Sequence, residues 1–281
     1  MKNKKIIWIA SYPKSGNTFL RFLIASLLHS KKGDFEFDII KNIRQFDIDK
    51  YYKFIQKKNL KDYENLNSIK TISKYWKEAQ KRSYGVENKN IFKTHAANLM
   101  FNNHKYTDED RSLGLIYIIR DPRDIAISYS HHTGKNLDDI IKILMNQNAV
   151  LSNSKGKIKV PLSRWDIHVK SWSMLNIPKY FIRYEDLIQN TEKYFIEIAN
   201  FLNKDLEINF ELNEKKIKNI IKNTSFKNLK NKEAKHGFDE SSKKNFFREG
   251  KSNQWKNILN IDQQKKIKNT FTETMNRFDY N

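Results

Sequence analysis

The chain has no cysteine, so disulfide staples and thiolate metal sites are both excluded. With only 4 prolines and 8 glycines in 281 residues it cannot be collagen-like or a proline-rich, low-complexity chain. Long apolar runs are missing too. The stretch from Phe19 to Leu28 has about half of the residues that a membrane-spanning helix requires. The opening MKNKKIIWIA has the basic start and apolar core of a secretory leader, but Pro13, Lys14, Ser15, Gly16 and Asn17 interrupt it and no small-residue cleavage site follows. The expectation is a cytoplasmic protein with no membrane span. Acidic residues are scarce beside basic ones, 32 against 53, which leaves a formal charge of +21.

What is present suffices for a core. The chain is 38% hydrophobic, with 18 Phe and 13 Tyr, which argues against disorder throughout. Its length fits one large α/β domain, read here as residues 1–281 with a polar insertion at about residues 31–89 over the sheet edge. The positive charge has three readings: phosphate neutralisation on a nucleic acid, attraction of an anionic nucleotide into a cleft, or a background rich in Lys, Asn and Ile. The lysines are scattered along the chain, which favours background. No zinc finger, aromatic RNA-binding motif or basic arm accompanies them, so no nucleic-acid partner is expected.

Residues Lys5 to Ala10 form a short isoleucine-rich run suited to a buried parallel strand. A turn with Pro13 and Gly16 follows, then a leucine-rich helix from Thr18 to Leu28. Further buried strands are expected at Asn90 to Thr94, Leu113 to Ile119 and Tyr180 to Arg183, with helices at Ile69 to Lys81 and Thr191 to Leu202. Asp121 and Pro122 fit the cap and first position of a helix. Strands alternating with helices predict a P-loop-like three-layer α/β fold, a mostly parallel sheet flanked by helices. Ligands bind beyond the carboxyl ends of such strands, where Lys14, His95 and Arg120 would lie.

The sharpest local signal is Tyr12-Pro13-Lys14-Ser15-Gly16-Asn17-Thr18. Amide groups at a helix N-terminus bind phosphate, helped by the helix dipole, and the lysine and hydroxyls add charge and directed donors. The order is not that of a Walker A loop, because the lysine precedes the glycine and Asn17 stands where the Walker lysine would be. A kinase or NTPase would also need an acidic Mg²⁺ ligand after a strand; Asp121 is the only good candidate and is better explained as a cap. Trp165, His168 and Trp172 recur at helical spacing and read as a packing face. Arg123 and Asp124 read as a surface pair or cap, and His131 and His132 as adjacent histidines on the helix after Asp121-Pro122, with no role assigned from the pattern.

This loop resembles the 5′-phosphosulfate-binding loop of the sulfotransferases that use 3′-phosphoadenosine-5′-phosphosulfate (PAPS). LIYIIRDPRDIAISYS, from Leu115 to Ser130, is similar to that family's 3′-phosphate motif, and FFREGKSNQWKNIL, from Phe246 to Leu259, to its C-terminal glycine loop. Lys93-Thr94-His95, Tyr184-Glu185-Asp186-Leu187 and Asn223-Thr224-Ser225-Phe226 match further pieces in the right order. The resemblance implies sulfuryl transfer from PAPS to a hydroxyl or amine by in-line displacement, leaving 3′-phosphoadenosine-5′-phosphate (PAP) and needing no metal. His95 would be the general base, Lys14 would neutralise the leaving oxygen, and Lys93 would face the sulfuryl group. Ser15, Gly16, Asn17 and Thr18 would hold the 5′-phosphate. Arg120, Ser128, Arg248 and Gly250 would hold the 3′-phosphate, with Phe19, Tyr184 and Phe226 around the adenine and Thr224 among the nucleotide-binding residues. The acceptor, a small molecule or a carbohydrate, stays open. Departures are Phe19 for the usual tryptophan, Glu249 for a basic residue, and Asn253-Gln254 for Gly-Asp. Asn260 and Lys265 replace the threonine and glutamate of the family's dimerisation segment, so no oligomeric state is read from it.

Overall fold

A computed structural model of the chain describes residues 5–84, 89–152, 158–240, 246–247 and 250–280. Five strands form one parallel sheet: β1 (Lys5–Ala10), β2 (Arg44–Gln45), β3 (Lys89–Thr94), β4 (Ser112–Ile119) and β5 (Lys179–Arg183), in the order β2-β3-β1-β4-β5. The strands expected from apolar runs occur where those runs lie. Alternation along β1 explains why the sheet is covered on both faces. Ile7 and Ile9 pack with Leu20, Leu23, Ile24 and Leu27 of α1 (Asn17–His29), while Trp8 and Ala10 pack on the opposite side with Trp165 and Trp172. A large apolar side chain buried this way contributes about 1.5–3 kcal/mol. Summed over the side chains just named, burial outweighs the left-handed backbone of Lys14 (φ 67°) in the loop between β1 and α1, a strain of order 1–3 kcal/mol.

The segment between β1 and β3 differs from its expected character. It supplies the edge strand β2, which pairs with Phe92 and Lys93 of β3. Phe46, Tyr51, Tyr52, Ile55, Ile72 and Trp76 from this segment are buried in the same cluster as Trp8. The helix expected from Ile69 to Lys81 is broken into Ile69–Ile72, a tight turn at Ser73–Tyr75 and α2 (Trp76–Ser83). At the break the Ser73 hydroxyl donates to the Lys70 carbonyl (3.2 Å), a local bond that competes with the helical ladder.

Pairing places Ala10 beside Thr94 on one side and Tyr117 on the other. The chain segments leaving β1, β3 and β4 therefore emerge together at one edge. The further helices that flank the sheet or follow it include α3 (Pro122–Thr133), α4 (Leu137–Met145), α5 (Trp165–Ser173), α6 (Tyr184–Gln189), α7 (Thr191–Asn200), α8 (Glu214–Asn223), α9 (Phe226–His236) and α10 (Ile261–Arg277). Among the described residues no helix is long and apolar enough to cross a membrane.

Candidate functional site

The loop after β1 turns into α1 through Gly16, whose φ of 93° and whose contact with the Tyr184 ring leave no room for a Cβ. No side chain caps α1, and its first turn has no acidic residue. By contrast, α3 is capped by Asp121, α7 by Asn190 and α8 by Asn213. An uncapped N-terminus beside Lys14 presents unsatisfied amides and positive potential to an anion. Asn17 holds the loop, its amide donating to the Ser11 hydroxyl (3.1 Å) and the Ile9 carbonyl (3.4 Å). Ser15 is buried, and its hydroxyl has no partner among the described residues.

At the end of β3, Lys93 and His95 face the same space. The His95 Nδ1 lies 2.8 Å from the Ser11 carbonyl, which can only accept, so Nδ1 carries the proton and Nε2 keeps its lone pair. Burial first, and then the Lys93 charge, hold the imidazole well below its ordinary pKa, so it is neutral at pH 7. Burial lowers Lys93 to about 8, helped by the Arg21 guanidinium. It lowers Lys14 to about 8 as well, helped by Arg120 and Lys93. Both ammonium groups are therefore mainly charged at neutral pH and lose that charge as pH rises through about 8. Lys93 donates to Gln45 Oε1 (3.4 Å), and Lys14 lies 4.9 Å from the centre of the Phe246 ring.

The packing face of α5 turns out to brace this turn. Trp165, His168 and Trp172 are fully buried. His168 Nε2 reaches the His95 carbonyl (3.1 Å), Tyr117 bonds its Nδ1 (2.8 Å), and Trp172 donates to the Ala96 carbonyl (2.8 Å). Burial lowers His168 to about 4, so it stays neutral and serves as a structural donor.

On the far side of the cavity, Arg120 donates to the carbonyls of Lys14 (3.1 Å) and Lys251 (3.0 Å) and lies over the Tyr184 ring (4.4 Å). One guanidinium thus ties the loop after β1 to the loop that contains Gly250. Arg123 and Asp124, read from sequence as a surface pair or cap, are instead buried at 4% and 1% exposure. Arg123 is clamped by Asp121 (2.8 Å) and stacks on Trp255 (3.6 Å). Asp124 accepts from the amides of Asn253 (2.7 Å) and Trp255 (3.1 Å). A Cβ at Gly250 would overlap the Phe226 ring, so glycine is required for this close approach.

These pieces enclose a cavity of about 630 Å³. Lys14, Gly16, Asn17, Thr18, Phe19, Lys93, His95, Arg120, Ser128, Tyr184, Phe226 and Gly250 all line it. Ser15 and Thr224 do not; Thr224 is buried, and its hydroxyl is spent on the Ile220 carbonyl (2.8 Å). Its neighbour Ser225, at the uncapped start of α9, does line the cavity. Arg248 and Glu249 lie outside the described residues. His132 lines the cavity and His131 does not.

Sequence reasoning passed over Gln45, Asp47 and the pair of Arg21 with Glu240 (2.9 Å), in which Arg21 is only 2% exposed and Glu240 lines the cavity. None of these stands in a recognisable pattern, whereas Asp124 sits inside the matched RDPRD run and its acidity was a usable signal. Among the described residues no group of three or more His, Asp or Glu side chains is placed to hold a metal ion.

Comparison with known proteins finds relatives of the chain in sequence and in fold. The chain is 24% identical over 215 residues to the amine sulfotransferase of Oryctolagus cuniculus, covering 70% of this chain and 66% of that protein. It is 27% identical over 233 residues to the luciferin sulfotransferase of Photinus pyralis, covering 81% of this chain and 57% of that protein. The alignments thus reach just under two thirds of the first relative and little over half of the second. The fold is that of mouse sulfotransferase SULT7A1 complexed with PAP, at a TM-score of 0.63 and 21% identity over 99% of this chain and 86% of that one. A family model for the sulfotransferase domain matches residues 4–279, and with the loop, the sheet edge and the cavity all in place the chain belongs to the sulfotransferase family.

Proposed function

We propose that the chain transfers the sulfuryl group of PAPS to the hydroxyl or amine of a small-molecule or carbohydrate acceptor in the cytoplasm. One observation carries the reading: the uncapped N-terminus of α1, Lys14, Arg120 and a neutral His95 converge on a single cavity. The first three are arranged for an anion, and the last is a base with a free lone pair. The mouse sulfotransferase of the same fold was crystallised with PAP, which supports this choice of nucleotide.

Sulfuryl transfer, like phosphoryl transfer, builds charge on the equatorial and leaving oxygens, so positioning and electrostatics dominate. His95 Nε2 takes the acceptor proton as the new S–O bond forms. Lys14 donates to the oxygen released from sulfur as the old S–O bond breaks, and Lys93 offsets charge on the sulfuryl oxygens. Arg120 and the loop at Gly250 hold the 3′-phosphate, the group that separates this nucleotide from AMP. Arginine suits that role through its planar, paired donors.

Calorimetry with PAP and AMP tests the nucleotide. A charge-assisted hydrogen bond contributes about 1.5–3 kcal/mol, so PAP should bind at least about tenfold more tightly than AMP. Equal affinities would remove the assignment. An acceptor screen with labelled PAPS, read by mass gain, then identifies the acceptor.

A further inference from the structure

Asp47 lies in the segment between β1 and β3, outside every motif described above, and is 4% exposed. Its Oδ2 accepts from the Thr94 hydroxyl (2.7 Å) and from the His95 amide (3.3 Å), and its Oδ1 accepts from the Tyr106 hydroxyl (2.9 Å). Thr94 in turn accepts from the Ala96 amide (2.9 Å). One carboxylate therefore gathers donors from either side of the Thr94–His95 peptide.

The His95 backbone is then fixed at both ends: its amide by Asp47 and its carbonyl by His168 (3.1 Å). The ring itself is fixed by the Ser11 carbonyl (2.8 Å). Two residues before Asp47, Gln45 holds the Lys93 ammonium (3.4 Å). The edge strand and the residues just after it thus reach the Lys93 side chain and the His95 main chain.

Stability alone does not account for a carboxylate here. A buried charge is costly unless fully hydrogen-bonded, and apolar replacements of buried ionic groups are often neutral or stabilising. What a carboxylate offers is an acceptor-only group that can take three donors from three directions. We propose that Asp47 is a positioning residue for transfer, setting the direction of the His95 imidazole through the Thr94–His95 turn without touching nucleotide or acceptor. The proposal rests on the reading of His95 as the base.

The test measures kcat and KM with a competent acceptor, together with calorimetric affinity for PAP, on Asp47→Ala, Asp47→Asn and Thr94→Val. Misplacement of a reacting group by about 1 Å costs roughly 10²-fold in rate, so Asp47→Ala should lose about that much kcat. PAP affinity should stay within about threefold of wild type, because the nucleotide loop is held by other residues. Asp47→Asn keeps an acceptor toward Thr94 and the His95 amide, with Tyr106 able to accept from its NH₂, and should recover at least about tenfold of the lost kcat. Thr94→Val removes the hydroxyl through which Asp47 acts and should lower kcat about tenfold, which decides the matter if Asp47→Ala does not fold.

Wild-type kcat in both Asp47→Ala and Thr94→Val would overturn the proposal. So would a parallel loss of kcat and PAP affinity, or an Asp47→Asn variant that binds PAP normally yet recovers nothing. An inactive wild-type enzyme would instead count against the proposed function itself, so the two failures are distinct.

Discussion

Arg120 and Asp124, on the side of the cavity proposed for the nucleotide, and Lys93 and His95, on the side proposed for transfer, are held by different kinds of partner. Arg120 reaches the carbonyls of Lys14 and Lys251, and Asp124 reaches the amides of Asn253 and Trp255. Every one of those residues belongs to a stretch recognisable in the sequence, and the partner groups are main-chain atoms that any residue would supply. His95 leans on Asp47, Ser11 and His168, and Lys93 leans on Gln45. Apart from Ser11, these are side chains from segments without a motif. The Arg120–Asp124 side is thus built motif against motif, whereas the Lys93–His95 side is built motif against scaffold.

Variants on the two sides should separate turnover from nucleotide affinity. The largest effect belongs to His95→Ala. Loss of a general base costs about 10²–10⁴-fold in rate, while PAP affinity should fall much less, because His95 meets the loop after β1 only at Ser11 and bonds none of the residues proposed to hold the nucleotide. Saturating kinetics paired with calorimetry check this, and an active His95→Ala enzyme would move the base elsewhere.

The opposite pattern is expected for Asp124→Ala. It leaves the amides of Asn253 and Trp255 without their buried acceptor, at about 1–3 kcal/mol for each group. The loop carrying Gly250 should loosen, and PAP should bind at least about tenfold more weakly. Turnover at saturating donor should hold within about threefold, because His95 and Lys93 keep their own supports. A variant that lost turnover and kept affinity would erase the distinction between the two sides.

The smallest effect is expected at Asn253, which stands where the family usually has glycine. Its φ is 60°, a left-handed conformation that asparagine visits more readily than other side-chain-bearing residues. Asn253→Gly should therefore change stability by less than about 1 kcal/mol and PAP affinity by less than about threefold, as urea melts and calorimetry would show. The departure from the family pattern is thus conservative in backbone terms.

Legibility followed the same division. The apolar runs at Lys5–Ala10 and Ser112–Ile119 are strands because each is buried on both faces, and that demand is visible as unbroken hydrophobicity. The loop from Pro13 to Thr18 and the Arg120–Asp124 run were visible because a glycine turn and a capped helix start dictate residue types at close spacing. The segment between β1 and β3 was misjudged as a polar cover. Its lysines mask aromatic residues spaced irregularly, so Phe46, Tyr52 and Trp76 share a core without sharing a period. Arg123 was misjudged for a related reason: its guanidinium is buried only because Asp121 and Trp255 close over it.

By itself the sequence determined the parallel α/β core, the glycine turn between β1 and α1, and which lysine, histidine and arginine stand at the ends of the strands. These follow from local rules, in which hydrophobic periodicity selects strand or helix and short loops dictate their own residue types. The tertiary structure alone decided how His95 is aimed, because its amide, carbonyl and ring are held by Asp47, His168 and Ser11 from three separate parts of the chain. It also decided that Lys14 and Lys93 titrate near 8, since burial and neighbouring cations set a pKa and neither is written in the residue itself.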